Sequence, residues 1–204
     1  MNEVRNGTAL EQLQTFDLVF CRERLLFRPL DESGLELSIE LWTNLELTRF
    51  VGGPADSKTL VTEHQTYMRR CAGGAIGVWT LTLKKTEEKI GTAILLPMPT
   101  DKDDTDWDLL IGGEMPPGDI EIGYILKKDF WGKGYATEAC MRLLKFGFEN
   151  TNLDTIVAST DRANTASQRV LQKSGMEFVG DKLSYNEICP FFQIGRSQWM
   201  ERQS

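Results

Sequence analysis

The clearest pattern lies in the middle of the chain. "IGVWTLTLKK" (76–85) and "KIGTAILLP" (89–97) alternate apolar with polar or small positions and are rich in β-branched and aromatic residues. The charged run "TEEK" joins them, so the pair reads as an antiparallel hairpin. Upstream, "RLLFRPL" (24–30) is a strand stopped by Pro29. In 31–50, Leu35, Ile39, Trp42 and Leu45 recur at spacings of three and four after an acidic start, which predicts an amphipathic helix. A second helix is expected over 57–74, capped by Ser57, with Gly73 and Gly74 at its end. Residues 98–119 are acidic, hold three prolines and read as a long loop. A strand follows at 120–128. Next comes a helix whose apolar face is Ala136, Cys140, Leu143 and Gly147, widened by Leu144 and Phe148. A strand at 153–160, a helix at 164–174 and strands at 176–185 and 191–200 complete the order. Residues 1–15 are polar and mixed, and read as a flexible or weakly helical lead. The expected organisation is an N-terminal extension, 1–20, and a single α/β (α+β) domain, 21–204, whose sheet is mostly antiparallel at its start.

Composition narrows the function. A chain of 204 residues with 26% charged side chains is ordinary for one globular domain. Its net charge of -7 argues against bulk binding to nucleic acid or an anionic membrane. Cys21, Cys71, Cys140 and Cys189 form no CxxC pair, and His64 is the only histidine, so no metal site is expected. The cysteines read as reduced thiols of a cytoplasmic protein. No basic stretch followed by an apolar run opens the chain, and no apolar stretch approaches the roughly 20 residues of a membrane span.

The chemistry gathers at "FWGKGYATEACMRLLKFGF" (130–148), where a strand, a glycine turn and a helix follow one another. The first turn of a helix has free N–H groups and partial positive charge, and glycines before it let a ligand approach the amides. Phosphate is the natural guest. A tight strand-to-helix connection is the other reading of "GKG" alone. The dinucleotide fingerprint GxGxxG fails at Thr137, and the Walker pattern is absent.

"EIGYILKKDFWGKGYATEACMRLLKFGFE" followed by "VASTDRANTASQRVLQKSGMEFVG" resembles the GNAT superfamily of acyl-CoA-dependent N-acetyltransferases, and most of all its RimJ/RimL-like branch, the ribosomal-protein N-terminal acetyltransferases. The likeness covers roughly 20–200 in element order and is specific across 120–180. Trp131 stands where the superfamily loop carries Gln or Arg. The resemblance implies a mixed, mostly antiparallel sheet splayed at the coenzyme strand and flanked by helices, with acetyl-CoA as co-substrate. It implies that amides of Gly132, Lys133, Gly134, Tyr135, Ala136 and Thr137 hold the pyrophosphate, Thr137 adding its hydroxyl. Lys133 either faces a phosphate or points to solvent. By position in the family, the N–H of Ile125 faces the thioester carbonyl, and Leu126 and Lys127 meet the pantetheine amides.

Glu121 matches the general base of several members, which an alkylammonium acceptor calls for. It also reads as a carboxylate that only orients the amine, with water carrying the proton. Asn164 is expected to cap its helix and to touch the coenzyme. The family's tyrosine acid is replaced by Leu171. Ser167 is the branch's substitute acid, or else a small residue that lets the coenzyme approach. Cys140 reads as core, and His64 as a surface or packing residue. On the acceptor side lie the aspartate-rich stretch 101–108 with Trp107, which reads as a solvated loop or as an attractor of cationic amines. Arg49 and Phe50 also fall there. Direct acetyl transfer to a primary amine, either a protein N-terminus or a small molecule, competes with two other readings. One is a non-catalytic acyl-CoA sensor, which the missing tyrosine permits. The other is a Rossmann-type nucleotide binder, whose fingerprint is missing. The protein is expected to be a monomer or homodimer, with Phe191, Phe192 and Trp199 in an interface or the core.

Overall fold

The computed structural model describes residues 13–14 and 17–203. The lead expected over 1–15 lies outside the described residues, apart from 13 and 14. Leu18 and Phe20 are buried in the main core, so the end of the expected extension belongs to the domain.

Among the described residues eight strands form one sheet: β1 (Phe20–Cys21), β2 (Leu25–Pro29), β3 (Gly77–Leu83), β4 (Lys89–Pro97), β5 (Ile120–Leu126), β6 (Thr155–Ser159), β7 (Glu177–Ser184) and β8 (Glu187–Gly195). Their spatial order is 1-2-3-4-5-6-8-7. The hairpin of β3 and β4 forms as its alternation predicts. β5 pairs with β4 along its whole length, from Pro97↔Ile120 to Gly91↔Leu126. β5 and β6 are parallel and meet at one registered pair, Glu121↔Val157. Beyond that pair they part, so the splay expected at the coenzyme strand opens just past Glu121.

Among the described residues six α-helices flank the sheet: α1 (Leu35–Trp42), α2 (Leu45–Thr48), α3 (Ser57–Tyr67), α4 (Tyr135–Asn150), α5 (Thr165–Lys173) and α6 (Arg196–Glu201). Neighbouring strand residues point to opposite faces. Ile125 packs on Leu37 and Leu41 of α1, whereas Tyr124 reaches Ser167 of α5. The two helix groups therefore cover opposite faces at β5. On the α4 side, Phe20, Phe27, Trp79 and Phe146 pack ring against ring at centroid distances of 4.3 to 5.9 Å, Phe20 stacked on Phe27 and Phe146.

Three elements differ from the sequence expectation. The single helix over 31–50 breaks after Trp42, because Thr43 bonds back to the Ile39 carbonyl (2.7 Å) and Asn44 starts a new helix by accepting from the amides of Glu46 and Leu47. The helix of 57–74 stops at Tyr67 and is capped by Asp56, not Ser57. Its expected tail instead bridges Cys71 to Ile76. The final strand begins at Glu187 and ends at Gly195, and the residues after it are helical.

The last of these corrections serves α4. The Arg196 guanidinium donates to the carbonyls of Phe148 (2.6 Å), Thr151 (2.8 Å) and Leu153 (3.0 Å), closing the C-terminal end of α4 with a cation. Arg196→Ala is expected to cost about 2 kcal/mol, which in a domain of this size lowers the melting temperature by about 4–8 °C. Calorimetry of the two proteins checks this.

Candidate active site

The glycine turn is built as its sequence suggests. Gly132 and Gly134 have φ of +71° and +80°, values that favour glycine. Gly134 is the N-cap of α4 and supplies no side-chain cap. The first helical bond is Glu138 N–H to Gly134 O (3.0 Å), so the amides of Tyr135, Ala136 and Thr137 precede the ladder and have no partner within it. Residues 131–134 are exposed, and 135–137 are half-buried. The Lys133 ammonium lies 5.6 Å over the Phe130 ring.

Two residues absent from the sequence reading hold this turn. Glu138 is buried in the first turn of α4 and accepts from Arg24 N (2.8 Å), Arg24 Nε (2.7 Å) and Leu25 N (3.1 Å). Arg24 also donates to the Lys133 carbonyl (2.8 Å) and stacks 4.3 Å over the Tyr135 ring. The start of β2 is thereby clamped to the loop. Trp131 donates its indole N–H to the Leu126 carbonyl (2.9 Å), tying the loop to the end of β5. A glycine turn with unladdered amides is the kind of nest that binds anions.

The backbone of β5 corrects two expectations. Lys127 N–H donates to Ile90 O (2.9 Å), and the β4 pairing runs on unbroken at Thr92↔Ile125. Hydrogen bonds alternate sides along a strand. The odd-numbered amides of Ile125 and Lys127 are therefore spent on β4, and those of Tyr124 and Leu126 face the gap toward β6. The Ile125 side chain fills the α1 face, and Lys127 Nζ pairs with Glu40 (2.7 Å).

Glu121 sits where the splay begins and is only 5% exposed. Burial, reinforced by the charge of Asp104, pushes its carboxyl up to about 8. The Tyr185 hydroxyl donates to its Oε1. At the other face, Asn164 caps α5 by accepting from Ser167 N–H (3.1 Å). The Ser167 hydroxyl lies 3.0 Å from that of Tyr124. Burial raises the Tyr124 phenol well above its usual range, so it stays protonated. Leu171, in the place of the family tyrosine, is buried in the core, as is Cys140. His64 is buried, and its Nε2 lies 2.9 Å from Asp31 O.

The acidic stretch is an ordered clasp. Trp107 packs edge-on to Tyr67 (5.2 Å), Asp108 pairs with Arg69 (3.0 Å), and Asp106 with Lys102 (2.5 Å). Asp103 accepts from Asn186 Nδ2 (2.7 Å). Asp104 alone acts on Glu121 electrostatically. Arg49 stacks on Phe50 (4.4 Å), and neither makes a hydrogen bond or ion pair with the Glu121 region. Phe191 and Phe192 are buried, and Trp199 stacks on Phe148 (5.3 Å), so all three serve packing within the chain. Among the described residues no His, Cys, Asp or Glu cluster could hold a metal ion, and no helix is long and apolar enough to cross a membrane.

A splayed sheet with a bare-amide turn at its open end is the frame of an acyl-coenzyme A transferase. The chain belongs to the GNAT acetyltransferase family: the model described as "Acetyltransferase (GNAT) domain" matches residues 24–177. It is 26% identical over 160 residues to the uncharacterized N-acetyltransferase p20 of Bacillus licheniformis, covering 78% of this chain and 82% of that one. It is 24% identical over 190 residues to FsC-acetyl coenzyme A-N(2)-transacetylase of Aspergillus fumigatus, covering 88% and 77%. The fold is shared with spermidine N-acetyltransferase from Vibrio cholerae, solved with CoA and spermine, at a TM-score of 0.66 and 15% identity over 87% of this chain and 98% of that one.

Proposed function

We propose that the protein transfers the acetyl group of acetyl-CoA directly to a primary amine, a protein N-terminus or a small-molecule amine. The observation that carries the proposal is a buried carboxylate, Glu121, at the point where β5 and β6 part. Acetyl-CoA supplies the acetyl thioester. Gly132 to Thr137 hold its pyrophosphate on outward amides, and Asn164 stands beside the same gap. The amides of Tyr124 and Leu126 pair with the extended arm as an added strand would. By ladder parity the Tyr124 amide takes the oxyanion role that sequence position gave to Ile125.

Glu121, ionised, removes a proton from the incoming ammonium so that its nitrogen can attack the acetyl carbon. A carboxyl at about 8 is basic enough to accept that proton while still ionising near neutral pH. Ser167, hydrogen-bonded to Tyr124, offers a hydroxyl proton to the departing sulfur. The aspartates of the clasp draw a cationic amine to this side of the sheet. The spermine-bound relative supports an amine acceptor, and the resemblance to the RimJ/RimL-like branch supports a protein N-terminus. The four free thiols suit a cytoplasmic setting.

Thermal melting with CoA, acetyl-CoA and NAD tests the coenzyme assignment. CoA and acetyl-CoA are expected to raise the melting temperature at saturation and NAD to leave it unchanged. A rise with NAD alone would overturn the proposal.

A further inference from the structure

The turn between β7 and β8 reaches the Glu121 carboxyl. Tyr185 and Asn186 form its tip with φ of +54° and +58°. An aromatic residue at positive φ is uncommon, because its Cβ crowds the backbone. The tip is fixed from outside. Tyr185 N–H donates to Pro99 O (3.1 Å), Asn186 N–H to Thr100 O (3.0 Å), and Asn186 Nδ2 to Asp103 Oδ1 (2.7 Å). So anchored, Tyr185 turns its phenol inward, and its hydroxyl reaches Oε1 of Glu121. No other hydrogen bond to the Glu121 carboxyl is made among the described residues. Its second oxygen, Oε2, is left for an incoming amine.

We infer that Tyr185 is the positioning residue of the catalytic carboxylate: carried on a turn locked to the acidic clasp, it fixes the rotation of Glu121 and leaves Oε2 to the amine. The inference rests on the reading of Glu121 as the base. Strain held at a functional position is a known device, and here the three hydrogen bonds to 99–103 hold it. Tyr185 and Asp104 are the titratable groups that act on Glu121, and the residues paired with it on β4 and β6, Leu96 and Val157, carry no charge. Asp104 disfavours the carboxylate, whereas a donated hydrogen bond favours it. Tyr185 thus opposes Asp104.

The test is Tyr185→Phe, which keeps the ring and removes the donor. With one amine throughout, so that the amine's own titration is common to both proteins, kcat/KM is measured against pH. The rising limb is expected to move toward alkaline pH by about one unit, with about a tenfold loss at pH 7 and substantial recovery above the limb. The KM for acetyl-CoA is expected to stay unchanged. A second readout needs no substrate. The melting-temperature gap between Glu121 and Glu121→Gln proteins widens with pH until the folded-state carboxyl ionises, and the pH at which it levels off should move the same way when Tyr185→Phe is added to both. An unmoved midpoint in either readout, or a uniform loss at every pH, would overturn the inference. If Glu121→Gln itself keeps full activity, the base reading fails instead, and the two failures are distinct.

Discussion

Glu121→Gln is expected to lower kcat/KM for the amine by about 10²–10⁴-fold and to leave acetyl-CoA affinity unchanged. Glutamine keeps the shape of the side chain and its hydrogen-bond acceptor for Tyr185, but it cannot take a proton. In the wild type, activity should rise as pH passes through about 8, where the buried carboxyl ionises, and level off above it. Stability should move the other way. The folded-state value lies above the ordinary carboxyl value of 4.5, so the native protein binds the proton more tightly than the unfolded chain. That contribution is fully present below pH 4.5 and is lost as pH rises through about 8. Glu121→Gln has no such loss. It should be more stable than the wild type at pH 9 by on the order of a few kcal/mol, and melt correspondingly higher, with the gap closing toward pH 5. Steady-state rates and melting curves across pH check both halves.

Gly134→Glu is expected to weaken coenzyme A by about 100-fold or more, equivalent to about 3 kcal/mol. Two effects add. A side chain at φ of +80° costs about 1–2 kcal/mol in the bound arrangement of the turn. The new carboxylate also sits against the amides that face a phosphate, where like charges repel. Space is not the cause, because a Cβ there meets only Arg24 Nη2, at 3.5 Å. The fold should therefore survive, held by Arg24 and Glu138. Isothermal titration with CoA reads the loss directly, and an affinity within a few-fold of the wild type would remove the phosphate from this turn.

Much of this site was legible in the sequence because it is local. The glycine turn, the cap at Asn164, the missing tyrosine at Leu171 and the carboxylate of the strand are each set by a few consecutive residues. Alternation found the hairpin of β3 and β4 for the same reason. What escaped depends on pairing between distant segments. Tyr185 reaches Glu121 only because the β7–β8 turn docks on 99–103, and no local pattern encodes that contact. The orientation of the β5 amides follows from register with β4, so Tyr124 was hidden behind Ile125. Glu138 did leave a signal: a carboxylate on the buried side of α4 needs partners, and Arg24 supplies them from β2. The helix over 31–50 was read as one because its apolar spacing continues across Thr43 and Asn44, residues whose side chains compete for backbone hydrogen bonds and divide it.

Turnover is the most direct test of the central claim. The wild-type protein, supplied with acetyl-CoA and a panel of peptide N-termini, polyamines and other small primary amines, is followed by thiol release and by mass spectrometry of the amines. The account predicts amine-dependent thiol release matched one for one by an acetylated amine, with the rate falling steeply in Glu121→Gln. Tight coenzyme binding with no acetylated product from any amine of the panel would contradict it and leave a protein that senses acetyl-CoA without using it.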